Sequence, residues 1–123
     1  MPKSLPRLPD AEQEVMHALW QCEIPAERAA IAGKLTRAMA ETTLLTLLTR
    51  LAERNFIAIE KVGRRSVYTP LVSKQDYLAA RSRSFIDTLC GGSLPTFAAA
   101  LCEGGLTREE LQELRALLER DEL

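Results

Sequence analysis

Apolar residues between positions 39 and 57 recur at helical spacing. At about 100° per residue, Leu44, Leu47, Leu48 and Leu51 form one stripe, while Thr42, Thr46, Thr49, Arg50 and Glu53 gather on the opposite side. One face suits a core; the other is short, polar and open. The period then changes. From Ile57 to Pro70, residues Ile57, Ile59, Val67 and Thr69 alternate with Glu60, Ser66 and Tyr68, which predicts two short strands around a Gly63-Arg64-Arg65 turn, with Pro70 ending the second.

Upstream, residues 1–9 hold three prolines and read as a loose arm. Asp10 followed by Gln13 has the form of a capping box, opening a helix to about Trp20 that buries Val15, Met16, Leu19 and Trp20. His17 falls off that stripe and reads as a surface residue. Pro25 opens a second helical pattern over about 26–38, with Ala30, Ile31 and Leu35 on its apolar face. Gly33 inside it costs about 1 kcal/mol relative to Ala, which points to close helix approach or a bend. Ala40 stands where a Ser or Thr cap is expected, so the start of the next helix is defined only to about two positions.

Downstream, Ser73 begins a helix to about Leu89 whose apolar positions, Tyr77, Leu78, Phe85, Ile86 and Leu89, cover more of the circumference than one small core requires. Gly91-Gly92 stops it, a short pattern over about 94–101 follows, and Gly104-Gly105 breaks the chain again. Thr107 and Glu110 then form a capping box, with Leu106 placed to staple onto Leu111. Leu111, Leu114, Leu117 and Leu118 line the last helix. These segments lack the side chains to enclose a core of their own. Leu78, Phe85, Leu89, Phe97, Leu101, Leu111, Leu114 and Leu118 are therefore expected to be completed by a second copy of the chain, with packing against the N-terminal half as the alternative.

The expected architecture is mainly α with a small β-hairpin wing. Residues 1–72 form a winged helix-turn-helix domain and residues 73–123 a helical dimerisation region. The helix in front of the hairpin is then placed to enter a DNA major groove. Thr42, Thr46 and Arg50 on its polar face then face the duplex, and Arg64 and Arg65 at the wing reach its backbone.

Charge looks adverse at first: the 123 residues are 46% hydrophobic and carry a net −1. Divided, residues 1–83 hold 13 basic residues against 9 acidic, a net +4, and residues 84–123 hold 3 against 8, a net −5. A basic half for double-stranded DNA and an acidic half for a partner fit this asymmetry; an ordinary solvated surface fits it as well. The alternative function is a winged helix serving as a protein-interaction module without sequence-specific DNA binding. An enzyme is not expected, since one histidine and no Gly-rich phosphate loop or serine elbow leave little to perform chemistry. Cys22, Cys90 and Cys102 have no metal-ligand spacing and read as free thiols; neither metal nor cofactor is expected. No apolar run approaches the roughly 20 residues that cross a bilayer, so a cytoplasmic location without membrane contact is expected.

Leu8-Pro-Asp-Ala-Glu-Gln-Glu-Val-Met16 with Leu19-Trp20, then Thr43-Leu-Leu-Thr-Leu-Leu-Thr-Arg-Leu51, then Arg65-Ser-Val-Tyr-Thr-Pro70 together resemble the penicillinase-repressor family (BlaI/MecI/CopY). The resemblance covers almost the whole chain. It implies a homodimeric winged-helix repressor of antibiotic-resistance genes, commonly for a β-lactamase, that binds an inverted-repeat operator. The family's recognition-helix pattern of Lys-Thr-x-Gln-Thr followed by Arg falls on residues 42–46 and Arg50, where Thr43, Thr46 and Arg50 match and Thr42 and Leu45 depart. A sensor protease is the further partner implied. The Asn-Phe bond cut in antibiotic-sensing relatives aligns with Ala99-Ala100 here.

Overall fold

The computed structural model describes residues 5–120. Helix α1 (Asp10–Trp20) buries Val15, Met16 and Leu19 as its periodicity predicts, together with Ala18, whereas Trp20, expected to be buried with them, is half-buried. Its start differs from the expected capping box. The Pro9 carbonyl accepts the Gln13 N–H at 2.9 Å, so Pro9 occupies the cap position and no side chain caps the helix. Asp10 is already helical and lies 3.4 Å from Arg7, while Gln13 accepts a hydrogen bond from the Tyr77 hydroxyl. The proline arm is also less loose than expected. Leu8 is fully buried, although residues 1–4 of that arm lie outside the described residues.

The continuous helix expected over 26–38 is replaced by a two-residue strand, β1 (Ala26–Glu27), and a short helix, α2 (Arg28–Lys34). Ala26 and Glu27 are extended because they pair with Tyr68 and Val67, and Leu35 leaves the helix with ψ 138°. Of the expected apolar face, Ile31 is buried, Leu35 half-buried and Ala30 exposed. A Cβ on Gly33 would meet nothing within 4 Å, so neither close approach nor crowding explains that glycine.

Helix α3 (Glu41–Glu53) buries Leu44, Leu47, Leu48 and Leu51. Ala40 sits at its cap without a side-chain bond. The helix ends in a Schellman motif: Asn55 takes φ 64°, its N–H bonds to Ala52 O, and the Phe56 N–H reaches Leu51 O at 2.9 Å. Strands β2 (Ile57–Val62) and β3 (Arg65–Pro70) follow, and the sheet order is β1-β3-β2, all antiparallel.

Because Val62 pairs with Arg65, the turn is Gly63-Arg64 alone and Arg65 belongs to β3. A two-residue turn sets odd positions of β2 opposite even positions of β3, so Ile57 faces Pro70 and Ile59 faces Tyr68. The expected grouping of Ile59 with Val67 and Thr69 is therefore corrected. Tyr68 is the buried residue of β3, and Ile59 is exposed.

Helix α4 (Lys74–Thr88) is capped by Ser73, whose hydroxyl accepts the Asp76 N–H at 3.0 Å. Compactness divides the chain inside this helix, between Arg81 and Ser82, whereas the sequence pattern sets the boundary ahead of it at 72/73. Tyr77 accounts for the difference. Its ring contacts Phe56 and Trp20, both at 5.9 Å between centroids, and its hydroxyl accepts the buried Leu8 N–H at 3.0 Å while donating to Gln13 Oε1 at 2.9 Å. The Trp20 indole N–H donates to Val72 O at 3.0 Å. Tyr77→Phe should cost about 1–2 kcal/mol in urea unfolding, because it orphans a buried backbone donor while keeping the ring. A loss below the measurement error would show that water replaces the hydroxyl.

In the second unit, Gly91 and Gly92 take positive φ after α4, as the double glycine predicts. Helix α5 (Leu94–Ala100), capped by Ser93, continues into a wide turn over Leu101–Gly105 that leaves helical geometry at Gly104, with φ 146°, where the Gly104-Gly105 pair predicts a break. Helix α6 (Arg108–Glu119) starts with the predicted capping box complete: Thr107 Oγ1 accepts the Glu110 N–H at 3.1 Å, and Glu110 accepts the Thr107 N–H at 2.9 Å.

Candidate nucleic-acid interface

Burial of the leucine stripe fixes the rotation of α3 and thereby presents its other face. Thr42, Thr43, Leu45, Thr46 and Arg50 are all exposed on it. The Thr46 hydroxyl donates to Thr42 O and the Thr49 hydroxyl to Leu45 O, both at 2.9 Å. Their protons are thus committed to the helix, which leaves lone pairs and a methyl group on each for a ligand. A surface of methyls, acceptors and one long cation can contact thymine methyls and phosphates. It lacks an amide that could form a bidentate contact with adenine.

The hairpin brings a second element alongside. A notch of about 410 Å³ opens between α3, the start of α2 and the wing, lined by Leu45, Arg28, Arg64, Arg65, Glu27 and Tyr68 among others. Leu45, Arg64 and Arg65 are therefore brought together, while Thr42, Thr43, Thr46 and Arg50 lie outside the notch on α3. The arginines are not equivalent. Arg65 Nη1 lies 3.0 Å from Glu27 Oε1, and Arg28 Nη1 lies 2.7 Å from Glu41 Oε1 in the first turn of α3. Among the described residues, neither Arg50 nor Arg64 forms an ion pair.

Glu27, Arg28 and Glu41 escaped the sequence reading. An acidic and a basic residue opening a helix pattern resemble ordinary surface charge, and β1 is too short to leave a periodic trace. A further ion pair supports α3 from behind: Arg54 Nε, at its C-terminal cap, lies 2.6 Å from Oε1 of Glu12, a carboxylate buried to 2% exposure on α1.

The residues expected to meet a second copy fall on both units. Leu78 belongs to the first and is 44% exposed. In the second, Phe85 and Phe97 rings meet at 5.8 Å, Leu89 is largely exposed, and Leu101 is half-buried. Leu111 and Leu114 are half-buried and Leu118 is 59% exposed; with Cys102, Arg108 and Arg115 they line a groove of about 480 Å³. Nothing in α5, the turn over Leu101–Gly105 or α6 is buried.

All three cysteines are free. Burial raises the Cys22 thiol above its usual pKa, with Lys34 opposing, and its Sγ donates to Ala18 O at 3.3 Å, an arrangement that disfavours thiolate chemistry. Among the described residues no His, Cys, Asp or Glu cluster is placed to hold a metal ion, and no helix is long and apolar enough to cross a membrane.

Residues 8–120 match the protein family described as penicillinase repressor. The penicillinase repressor of Bacillus licheniformis is 32% identical over 119 residues, covering 95% of this chain and 93% of that one. The methicillin resistance regulatory protein MecI of Mammaliicoccus sciuri is 29% identical over 112 residues, covering 89% and 91%. Among solved structures, the DNA binding domain of the repressor BlaI superposes with a TM-score of 0.51 at 33% identity, over 63% of this chain and 94% of that one. The monomeric form of Bacillus licheniformis BlaI in complex with the blaP half-operator gives a TM-score of 0.50 with the same identity and coverage.

Proposed function

The chain belongs to the penicillinase-repressor family, and we propose that this DNA-binding repressor works in the cytoplasm as a homodimer on an inverted-repeat operator, controlling a resistance gene of the β-lactamase type. The observation that carries the reading is the exposed face of α3 standing beside Arg64 at the wing turn, which forms no ion pair among the described residues. In this reading α3 enters the major groove. Thr43, Leu45 and Thr46 meet base edges and thymine methyls, and Thr42, Arg50, Arg64 and Arg65 meet the backbone.

Leu78, Phe85, Leu89, Phe97, Leu101, Leu111, Leu114 and Leu118 supply the contact with a second copy. Two reading helices are thereby set roughly 34–36 Å apart, one turn of B-DNA. The unburied leucines of α6 support this, because a stripe of that kind on a short helix gains stability only when something covers it. A sensor protease would meet exposed Ala99 and Ala100 in α5, without the aromatic side chain present at the aligned bond of antibiotic-sensing relatives.

One titration tests the reading. The full chain and a chain ended after Arg81 are added to fluorescent promoter fragments at several salt concentrations, with light scattering run in parallel. Ending the chain at position 72 would remove Tyr77 and with it the Leu8 bond; Arg81 preserves both. The full chain should be a dimer that binds one palindromic fragment with Kd on the order of 10⁻⁸ M or tighter. The shortened chain should be a monomer that has lost most of that affinity. Micromolar, sequence-indifferent binding by the full chain would favour the interaction-module reading instead. A shortened chain that remains dimeric would remove the second unit from the two-fold contact.

A further inference from the structure

We propose that Glu27 is an internal competitor for Arg65, occupying the position a DNA phosphate would take and lowering the wing's affinity for DNA of any sequence. The proposal rests on the DNA-binding reading above. Arg64 and Arg65 are adjacent in sequence, yet among the described residues only Arg65 has a carboxylate partner, at 3.0 Å. That partner is held by backbone pairing. Glu27 is the second residue of β1, in register with Val67 of β3, and lines the same notch as Leu45 and both wing arginines.

A carboxylate oxygen and a phosphate oxygen make the same charge-assisted hydrogen bond to a guanidinium, so one can replace the other. The exchange is easy because the pair is open to water, with side-chain exposures of 75% for Arg65 and 45% for Glu27. Glu27 therefore tunes affinity and does not lock the wing. Exposed ion pairs have strengths that correspond to about a two- to five-fold change in an equilibrium constant.

Removing any carboxylate near DNA reduces repulsion, so the test needs a matched control. Glu60 supplies one: it lies in β2, is in register with Val67 from the opposite side, is exposed, and forms no ion pair among the described residues. Simple repulsion predicts similar gains from Glu27→Gln and Glu60→Gln, because each removes one carboxylate, and a gain at Glu27 that does not depend on Arg65. Competition predicts a larger gain at Glu27, and only while Arg65 is present.

Affinities of the full chain for an operator fragment and for a scrambled duplex, measured by fluorescence anisotropy at about 0.1 M salt, decide between them. Glu27→Gln should tighten binding to both duplexes about two- to five-fold more than Glu60→Gln does. In an Arg65→Ala background that excess should vanish. Equal gains from the two glutamine variants, or an excess that survives in the Arg65→Ala background, would overturn the competition. Absence of binding by the unsubstituted chain to either duplex would instead overturn the DNA-binding reading itself.

Discussion

Arg54→Ala is expected to destabilise the first unit by about 3 kcal/mol, the low end of the cost of leaving a buried charge unpaired. Glu12 is 2% exposed and lies on the first turn of α1, where its carboxylate meets Arg54 Nε at 2.6 Å. The helix dipole favours an acidic side chain in that turn, but the effect is small beside desolvation. The guanidinium is 39% exposed, so water can reach part of the space it vacates, and this sets the estimate at the lower end.

The loss should appear in urea unfolding as a lower midpoint at unchanged slope. A Glu12→Leu, Arg54→Met pair should recover most of it, since an ion pair replaced as a unit by apolar side chains is often neutral. A loss under about 1 kcal/mol for Arg54→Ala would class the contact with ordinary surface ion pairs. The functional consequence lies in α3. Arg54 is its C-terminal cap residue, so the pair anchors the end of α3 to α1 across 42 positions of sequence.

That distance also marks what sequence can carry. The leucine stripe of α3, the Gly63 turn and the Thr107–Glu110 box were legible because each is a local pattern: a period, a backbone requirement for positive φ, two partners three residues apart. Glu12 carries no local sign of its burial, because its partner Arg54 lies 42 positions away. Tyr77 read as one more apolar position on α4, since its bond to Leu8 spans 69 residues.

The buried face of β3 turned on a single residue of turn length, which exchanges Tyr68 for Val67. β1, with two residues, has no period to read, yet it places Glu27 against Arg65. For the candidate interface, exposure of the α3 residues follows directly from the amphipathic pattern. The division of the arginines into paired and unpaired follows only from tertiary structure.

That division yields the second large effect. Arg50→Ala with Arg64→Ala should weaken binding to operator and scrambled duplex alike by roughly 60-fold at about 0.1 M salt. Each phosphate neutralised contributes about 0.9 to the slope of log K against log salt, so two contribute about 1.8, and over the decade from 1 M to 0.1 M this is the stated factor. The full contribution is expected from these two arginines because neither has a carboxylate to leave among the described residues. Arg65→Ala alone should cost less, since Glu27 already offsets part of its charge.

Contacts to phosphate carry no base information, so the ratio of operator to scrambled affinity should stay unchanged in the double variant. Leu45→Ala should do the opposite, altering that ratio while leaving the salt slope intact. A double variant with an undiminished slope would remove both arginines from the phosphate backbone, and the exposed face of α3 would then need a partner other than DNA.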